Sequence, residues 1–339
     1  MNGREWQLVS RPSGVPRESD FRLAEVPVPD PGAGELLVRN TWMSLDPSMR
    51  IRMHGNPSEY MPPFELGRPL EGWAVGQVVA SRADSFAEGD WVLHPLGWRE
   101  YTLLSTHGPG RAAPTPIEVD ERTSERAYLG PLGWVGLTSY VGLLHVAELR
   151  DGDIVFVSGA AGAVGSLVVQ IAKRRGHRVI GSAGSAEKVR FVCDELGADA
   201  AFSYRSGDVG DLLREAAPDG IDVYFDNVAG DHLQAALDVL RQFGRVALCG
   251  AISTYNASEP VPGPTNLFNA IAKGLTLRGF LARQYADRMD EFRSDMREWL
   301  ADGEIVYPET VFNGLDEAPR GMIALLSGEN VGKVLVEIG

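Results

Sequence analysis

The stretch that most narrows the fold is Ser158-Gly159-Ala160-Ala161-Gly162-Ala163-Val164-Gly165, because of what flanks it. Ahead of it, residues 153–158 (DIVFVS) form the apolar run of a buried strand. Behind it, Val164, Leu167, Val168, Ile171 and Ala172 recur at helical spacing until Gly176 closes the helix. The loop keeps the GxGxxG spacing with Ala160 in place of the first glycine. Gly162 lets the backbone approach a pyrophosphate, and Gly165 lets the helix pack close to the strand. The helix start, with Ala163 and Val164 beside these glycines, offers N–H groups and a positive dipole end to phosphates. Such turns also occur without ligands, as tight packing alone. Standing between a clear strand and a clear helix, this one favours cofactor binding.

The same alternation continues downstream. Residues 178–183, 221–227 and 245–250 repeat the strand pattern, and Leu233, Ala236, Leu237 and Leu240 share one helix face with Asp231 as its expected N-cap. Strands alternating with helices specify an α/β fold with a doubly wound parallel sheet. Earlier in the chain, residues 21–26, 35–41, 73–80, 90–94 and 100–104 read as short strands broken by Gly and Pro clusters, the pattern of a β-barrel-like domain. After residue 306 a helix (about 315–326) and a last strand (333–338) are expected to return to that first domain. The expected division is 1–128, 129–305 and 306–339.

Which nucleotide fits follows from the second strand. A site for NAD places Asp or Glu about 20 residues after the glycines, on the ribose 2′-hydroxyl. Here that strand ends in Gly181-Ser182-Ala183-Gly184-Ser185, without a carboxylate, and Lys188 follows. A 2′-phosphate would be attracted by Lys188. One charge-assisted hydrogen bond contributes about 1.5–3 kcal/mol, roughly a ten- to hundredfold preference. Lys188 could also be a solvated lysine at a helix start, but NADP(H) is the favoured cofactor. That cation matters more because the chain carries a net charge of -14, which argues against nucleic acid or an anionic membrane surface as partner. Cys193 and Cys249 have neither metal-ligand nor disulfide spacing. The first residues lack the apolar core of a signal peptide, and no apolar run approaches a membrane span. A soluble, cytoplasmic protein is expected.

Five ordered motifs then point to a family. They are residues 160–165, Gly184-Ser185-Ala186-Glu187-Lys188, Tyr224-Phe225-Asp226-Asn227-Val228, Cys249-Gly250-Ala251-Ile252-Ser253-Thr254-Tyr255-Asn256 and Asn330-Val331-Gly332-Lys333. With residues 44–50 (SLDPSMR) and Pro62-Pro63-Phe64-Glu65-Leu66-Gly67, the likeness covers nearly the whole chain. It resembles the medium-chain dehydrogenase/reductase superfamily, in its zinc-free leukotriene B4 12-hydroxydehydrogenase/prostaglandin reductase branch, which includes plant double-bond reductases and bacterial curcumin-reductase-like enzymes. The resemblance implies a GroES-like β-barrel catalytic domain formed by both chain ends, a Rossmann domain between them, and an active site in the cleft. By the same analogy Lys188 and Tyr204 contact the adenosine 2′-phosphate, Asn227, Cys249 and Tyr255 line the nicotinamide side, and Ser253 contacts the cofactor. Phe280 and Leu281 meet the nicotinamide end, and Asn330 reaches the cofactor from the C-terminal return. A homodimer is implied, through a last Rossmann strand near 275–281.

Zinc enzymes of this superfamily draw catalytic ligands from Cys and His. At the expected first ligand the chain has Ser44-Leu45-Asp46-Pro47, and Arg68-Pro69-Leu70-Glu71-Gly72 lacks the histidine of a Gly-His-Glu motif. No metal is expected, and Glu71 reads as a structural or surface residue. What remains is hydride transfer to a carbon–carbon double bond conjugated to a carbonyl, with a donor for the carbonyl oxygen. Tyr255 is the candidate donor and catalytic residue, although packing at a strand end would also explain it. Tyr60, in a Pro-rich loop, is a candidate substrate contact or an exposed aromatic. Arg50 and Arg52 read as charges near the site or as partners in salt bridges. The histidines, His94 and His145 among them, read as satisfied or surface residues. The expected substrate is a small enone or enal. Quinone reduction on the same fold, a non-catalytic NADPH-binding role, and an enoyl reductase acting on carrier-bound thioesters are the alternatives.

Overall fold

Alternation of inward and outward residues sets the first part of the chain into strands. β1 (Asn2–Leu8) and β2 (Phe21–Pro27) pair antiparallel as a ribbon. β3 (Glu35–Leu45), a short helix α1 (Met49–Met53), β4 (Ala74–Ser81), β5 (Trp91–His94), β6 (Tyr101–Ser105) and β7 (Thr115–Pro116) follow. The computed structural model describes residues 1–55, 61–107 and 113–339. β2 to β6 lie where the apolar pattern places them, while β1 and β7 are additional.

From Gly130 to Pro308 the chain forms its second compact unit. Here α2 (Trp134–Val141) runs into a π-helical turn (Gly142–Val146), followed by β8 (Ile154–Val157), α3 (Ala163–Arg174), β9 (Arg178–Ala183), α4 (Ala186–Asp194), β10 (Ala200–Ser203) and α5 (Val209–Ala216). Next come β11 (Ile221–Asp226), α6 (Gly230–Val239), β12 (Leu240–Leu248), α7 (Phe268–Ala272), β13 (Thr276–Gly279) and α8 (Met289–Ala301). The six strands make a fully parallel sheet in the order β10-β9-β8-β11-β12-β13. Winding reverses between β8 and β11, so the carboxyl ends of these two strands mark the switch point where such sheets bind ligands. Val155, Phe156, Val157, Val223, Tyr224 and Phe225 are all fully buried, as central parallel strands covered on both faces must be. Phe156 stacks on Tyr224 with centroids 4.9 Å apart.

One local expectation is corrected. Asp231 does not cap α6; it lies inside the first turn, and the N-cap is Ala229 at φ 62°, ψ -152°. The carboxylate of Asp226 instead takes the N–H groups of Val228 and Ala229, at 2.9 and 2.7 Å, so the helix entry is held from the strand before it.

The last segment supplies β14 (Glu309–Asn313), α9 (Ala318–Leu326) and β15 (Lys333–Glu337). β15 pairs parallel with β14 and antiparallel with β3, so Glu309–Gly339 completes the unit begun by Met1–Leu129. Its sheet runs β14-β15-β3-β4-β5-β7, with β6 also on β3. Leu8, Phe21, Met43, Leu45, Trp98 and Val336 share its main core, where Trp98 stacks on Phe21. Burying a side chain of this kind contributes about 1.5–3 kcal/mol. No helix among the described residues is long and apolar enough to cross a membrane.

Candidate functional site

At the end of β8 the chain turns at Gly159, whose φ of 61° belongs to the left-handed region. Ala160 beside it is fully buried and donates its N–H to Ser182 O at 2.9 Å. The tight-turn glycine therefore sits one position earlier than the motif puts it, and alanine at 160 costs nothing. Gly165 is fixed by close approach, because a Cβ there would stand 2.3 Å from Gly159 O. Gly162 is the N-cap of α3 and no side chain caps this end. The helix is anchored behind it by Ser166 to Ala172, all buried, so its first N–H groups are held in place at the switch point.

Across the carboxyl ends of β9 and β10 a second group gathers. Ser185 caps α4 by accepting the Lys188 N–H at 3.3 Å, which sets Lys188 in the first helical turn. Tyr204 donates its N–H to Ala183 O, and its hydroxyl lies so near Gly184 that a Cβ there would be 2.9 Å from it. The Arg205 guanidinium lies 5.9 Å from the Tyr204 ring centroid. Arg205 is a cation that the sequence reading passed over; its only signal was adjacency to Tyr204. The end of β9 carries no carboxylate.

The third group joins β8, β11 and β12. Asn227 is held to Ser158 twice, by its N–H to Oγ at 3.0 Å and by Nδ2 to the carbonyl at 2.8 Å. Tyr224 Oη reaches Asp226 Oδ1 at 2.7 Å and Ser158 Oγ at 3.0 Å. Burial pushes the Asp226 carboxyl above the usual carboxylate range, although the Ala229 N–H and Tyr224 act against it. Cys249 donates its N–H to Asp226 O, and desolvation together with Asp226 pushes its thiol up to about 12, so it is no thiolate. Ser253 Oγ donates to Val228 O at 2.6 Å. Tyr255 lies in a short turn beyond β12 rather than at the strand end, and its hydroxyl accepts the Ala251 N–H at 3.2 Å. The structure thus gathers Gly162 to Gly165, Gly184, Lys188, Tyr204, Asn227, Cys249, Ser253 and Tyr255 along the carboxyl edge of one sheet.

Two further candidates follow the last strand of that sheet. Phe280, just past β13, is buried with its ring edge-on to Phe225, and Leu281 beyond it is half-buried. Asn330 belongs to the first unit, where its Nδ2 donates to Gly332 O at 2.8 Å. Tyr60 lies outside the described residues.

The residues around Ser44 and Glu71 are held in other pairs. Lys333 Nζ, buried, bonds Leu45 O at 2.8 Å and Asp46 Oδ1 at 2.9 Å, while Ser44 Oγ donates to Asp46 Oδ2. Glu71 pairs with Arg52 at 2.7 Å, and buried Arg50 bonds the carbonyls of Pro12 and Gly14. Among the described residues no three His, Cys, Asp or Glu side chains form a metal-ion set. His94 is only half satisfied: Nδ1 accepts the Leu96 N–H, Nε2 is buried without a partner among the described residues, and burial lowers its pKa to about 3. His145 likewise leaves a buried Nε2 unpaired, which corrects the reading of these two as satisfied or surface residues.

Comparison with known proteins fits this geometry. Residues 4–110 match the family model described as the N-terminal domain of oxidoreductase, and residues 163–302 match that of zinc-binding dehydrogenase. The chain is 38% identical to NADPH-dependent curcumin reductase of Escherichia coli, covering 99% of this chain and 96% of that protein. It is also 38% identical to the NADP(+)-dependent 2-alkenal reductase of Nicotiana tabacum, covering 96% and 94%. The solved structure of CurA from Vibrio vulnificus in complex with NADPH matches with a TM-score of 0.93 at 37% identity, over 99% of each chain. The chain belongs to the medium-chain dehydrogenase/reductase superfamily, in the prostaglandin reductase branch that holds the NADP-dependent curcumin and alkenal reductases.

Proposed function

We propose that this chain is an NADPH-dependent reductase of carbon–carbon double bonds conjugated to an aldehyde or ketone. The observation that carries the cofactor assignment is the end of β9, where Lys188, Tyr204 and Arg205 surround a strand without a carboxylate. The uncapped start of α3 suits a pyrophosphate, and the cation-bearing end of β9 suits a 2′-phosphate. When bound, the dinucleotide supplies a hydride for the β-carbon of the substrate. Charge then develops on the carbonyl oxygen, and Tyr255 is the residue of this chain that would donate a hydrogen bond to it. Solvent can protonate the α-carbon afterwards. The names of the curcumin and alkenal relatives support this class of substrate.

The assignment is tested by following NADPH oxidation, with NADH in parallel, against an enal, an enone and a simple quinone. Turnover of enal or enone with NADPH preferred is expected. Turnover of the quinone alone would move the chain to quinone reduction, and tight NADPH binding without any turnover would leave a binding role. Replacing Lys188 with alanine should cut the preference for NADPH over NADH by about ten- to hundredfold, since one charge-assisted bond is lost. An unchanged ratio would place the 2′-phosphate elsewhere.

A homodimer through β13 is part of the same proposal. Among the described residues β13 pairs only with β12 and so ends the sheet, and an edge of this kind is a template for a second strand. Beside it Phe268 and Ile271 are 72% and 76% exposed, an apolar face that a second copy would cover. Ile271→Glu is expected to turn a dimer into a monomer in light scattering at micromolar concentration. A monomeric wild-type chain would remove the proposal.

A further inference from the structure

The turn that joins β11 to α6 sits against two parts of the candidate cofactor site, the glycine-rich loop and the segment after β12. A Cβ at Gly159 would meet Asn227 Cβ and Val228 Cγ2 at 3.7 Å, so the turn abuts the glycine-rich loop. Val228 O accepts both the N–H and the hydroxyl of Ser253, and Asn227 O accepts the Ile252 N–H, so the segment leading to Tyr255 hangs from the same residues. Asp226 O takes the N–H groups of Cys249 and Gly250.

This turn is not at rest. Ala229 has φ 62°, ψ -152°, a region of backbone conformation that is nearly glycine's alone. Something must hold an alanine there, and the group that does so is in view. Asp226 is fully buried at the end of β11, and its Oδ1 meets the Ala229 N–H at 2.7 Å, the Val228 N–H at 2.9 Å and Tyr224 Oη at 2.7 Å. Its Oδ2 is buried with no partner among the described residues, so its hydrogen bonds converge on Oδ1, two from the turn and the others from Tyr224 and Ser158.

We infer that Asp226 is a positioning residue: it clamps the turn from Asn227 to Ala229 in a strained shape that places Asn227 and the segment bearing Ser253 and Tyr255 for the bound dinucleotide. The inference rests on the cofactor reading given above. Strain at Ala229 opposes the clamp, so the two residues are coupled: without the carboxyl the turn relaxes, and a glycine at 229 makes the clamp unnecessary.

The test compares the full-length wild-type chain, Asp226→Ala, Ala229→Gly and the double variant, each by NADPH fluorescence titration and thermal unfolding. Asp226→Ala should raise the NADPH dissociation constant by about tenfold, the effect of one strained residue let go. The double variant should return to within about threefold of wild type, even though its unfolding temperature stays low. Tyr224→Phe, which removes one partner of the carboxyl and keeps the ring in the core, should shift affinity in the same direction by less. An Asp226→Ala variant that unfolds earlier but binds NADPH like wild type would show a structural role only and overturn the inference. So would a double variant as weak as Asp226→Ala. Should Asp226→Ala fail to fold, a Tyr224→Phe variant with unchanged affinity overturns it instead. A wild-type chain that does not bind NADPH at all would bring down the cofactor reading itself, and this inference with it.

Discussion

Gly165→Ala should weaken NADPH binding by roughly a hundredfold while lowering stability by about 1–3 kcal/mol, the usual cost of overpacking. The added Cβ would lie 2.3 Å from Gly159 O and 2.9 Å from Ala160 Cα, and these are backbone atoms with no rotamer to escape into. Either α3 or the loop must move. The helix cannot easily do so, because Leu167, Val168, Ile171 and Ala172 are buried in the sheet interface. The loop moves instead, away from the helix start, and the N–H groups of Ala163 and Val164 lose their aim at a pyrophosphate. Isothermal titration with NADPH and urea unfolding of the same samples measure the two effects. Affinity within threefold of wild type, in a variant that is destabilised as expected, would mean that the phosphates do not sit on this turn.

How much of this was legible in the sequence depended on range. Residues 158–165, the start of α4 and the end of β9 are local patterns: a strand, a turn and a helix within a few residues, and these elements could be written from spacing alone. Short strands were harder. β10 is four residues, Ala200–Ser203, with no apolar run to announce it, and it is a strand because β9 supplies the parallel partner. β1 turns Glu5 and Gln7 inward, where Gln7 bonds Glu5 and Arg22, so its alternation is the reverse of what marks a core-facing strand. Asp231 was expected to cap α6 because it stands near the start of the helix in sequence. The group that fills that role, Asp226, is a strand residue, and its link to Ser158 spans 68 positions. A hydrogen bond of that range leaves no periodic trace, so the centre of the candidate site was read only in part: Asn227 and Cys249 were given roles through motif likeness, while Ser158, Tyr224 and Asp226 stood in the same motifs without one.

Tyr255→Phe separates chemistry from packing. The Tyr255 hydroxyl accepts the Ala251 N–H at 3.2 Å, which fixes the oxygen in the turn after β12, and a hydroxyl can accept one hydrogen bond while donating another. If the phenol stabilises the oxygen on which charge develops, its removal should lower kcat for an enone by roughly 10²–10³, the range for losing one preorganised donor. NADPH affinity should stay within about twofold, because an interaction made only in the transition state leaves ground-state binding alone. The loss of one backbone partner should cost about 1 kcal/mol of stability, measurable by urea unfolding. If instead Tyr255 only braces the turn through Ala251, the variant would show that stability loss with kcat unchanged. A rise in enone KM at constant kcat would give a third outcome, in which the hydroxyl holds substrate and transition state equally and adds nothing to the chemical step. A large fall in kcat at unchanged NADPH affinity is the result that assigns the phenol to the reaction, since neither a bracing role nor uniform substrate binding produces that combination.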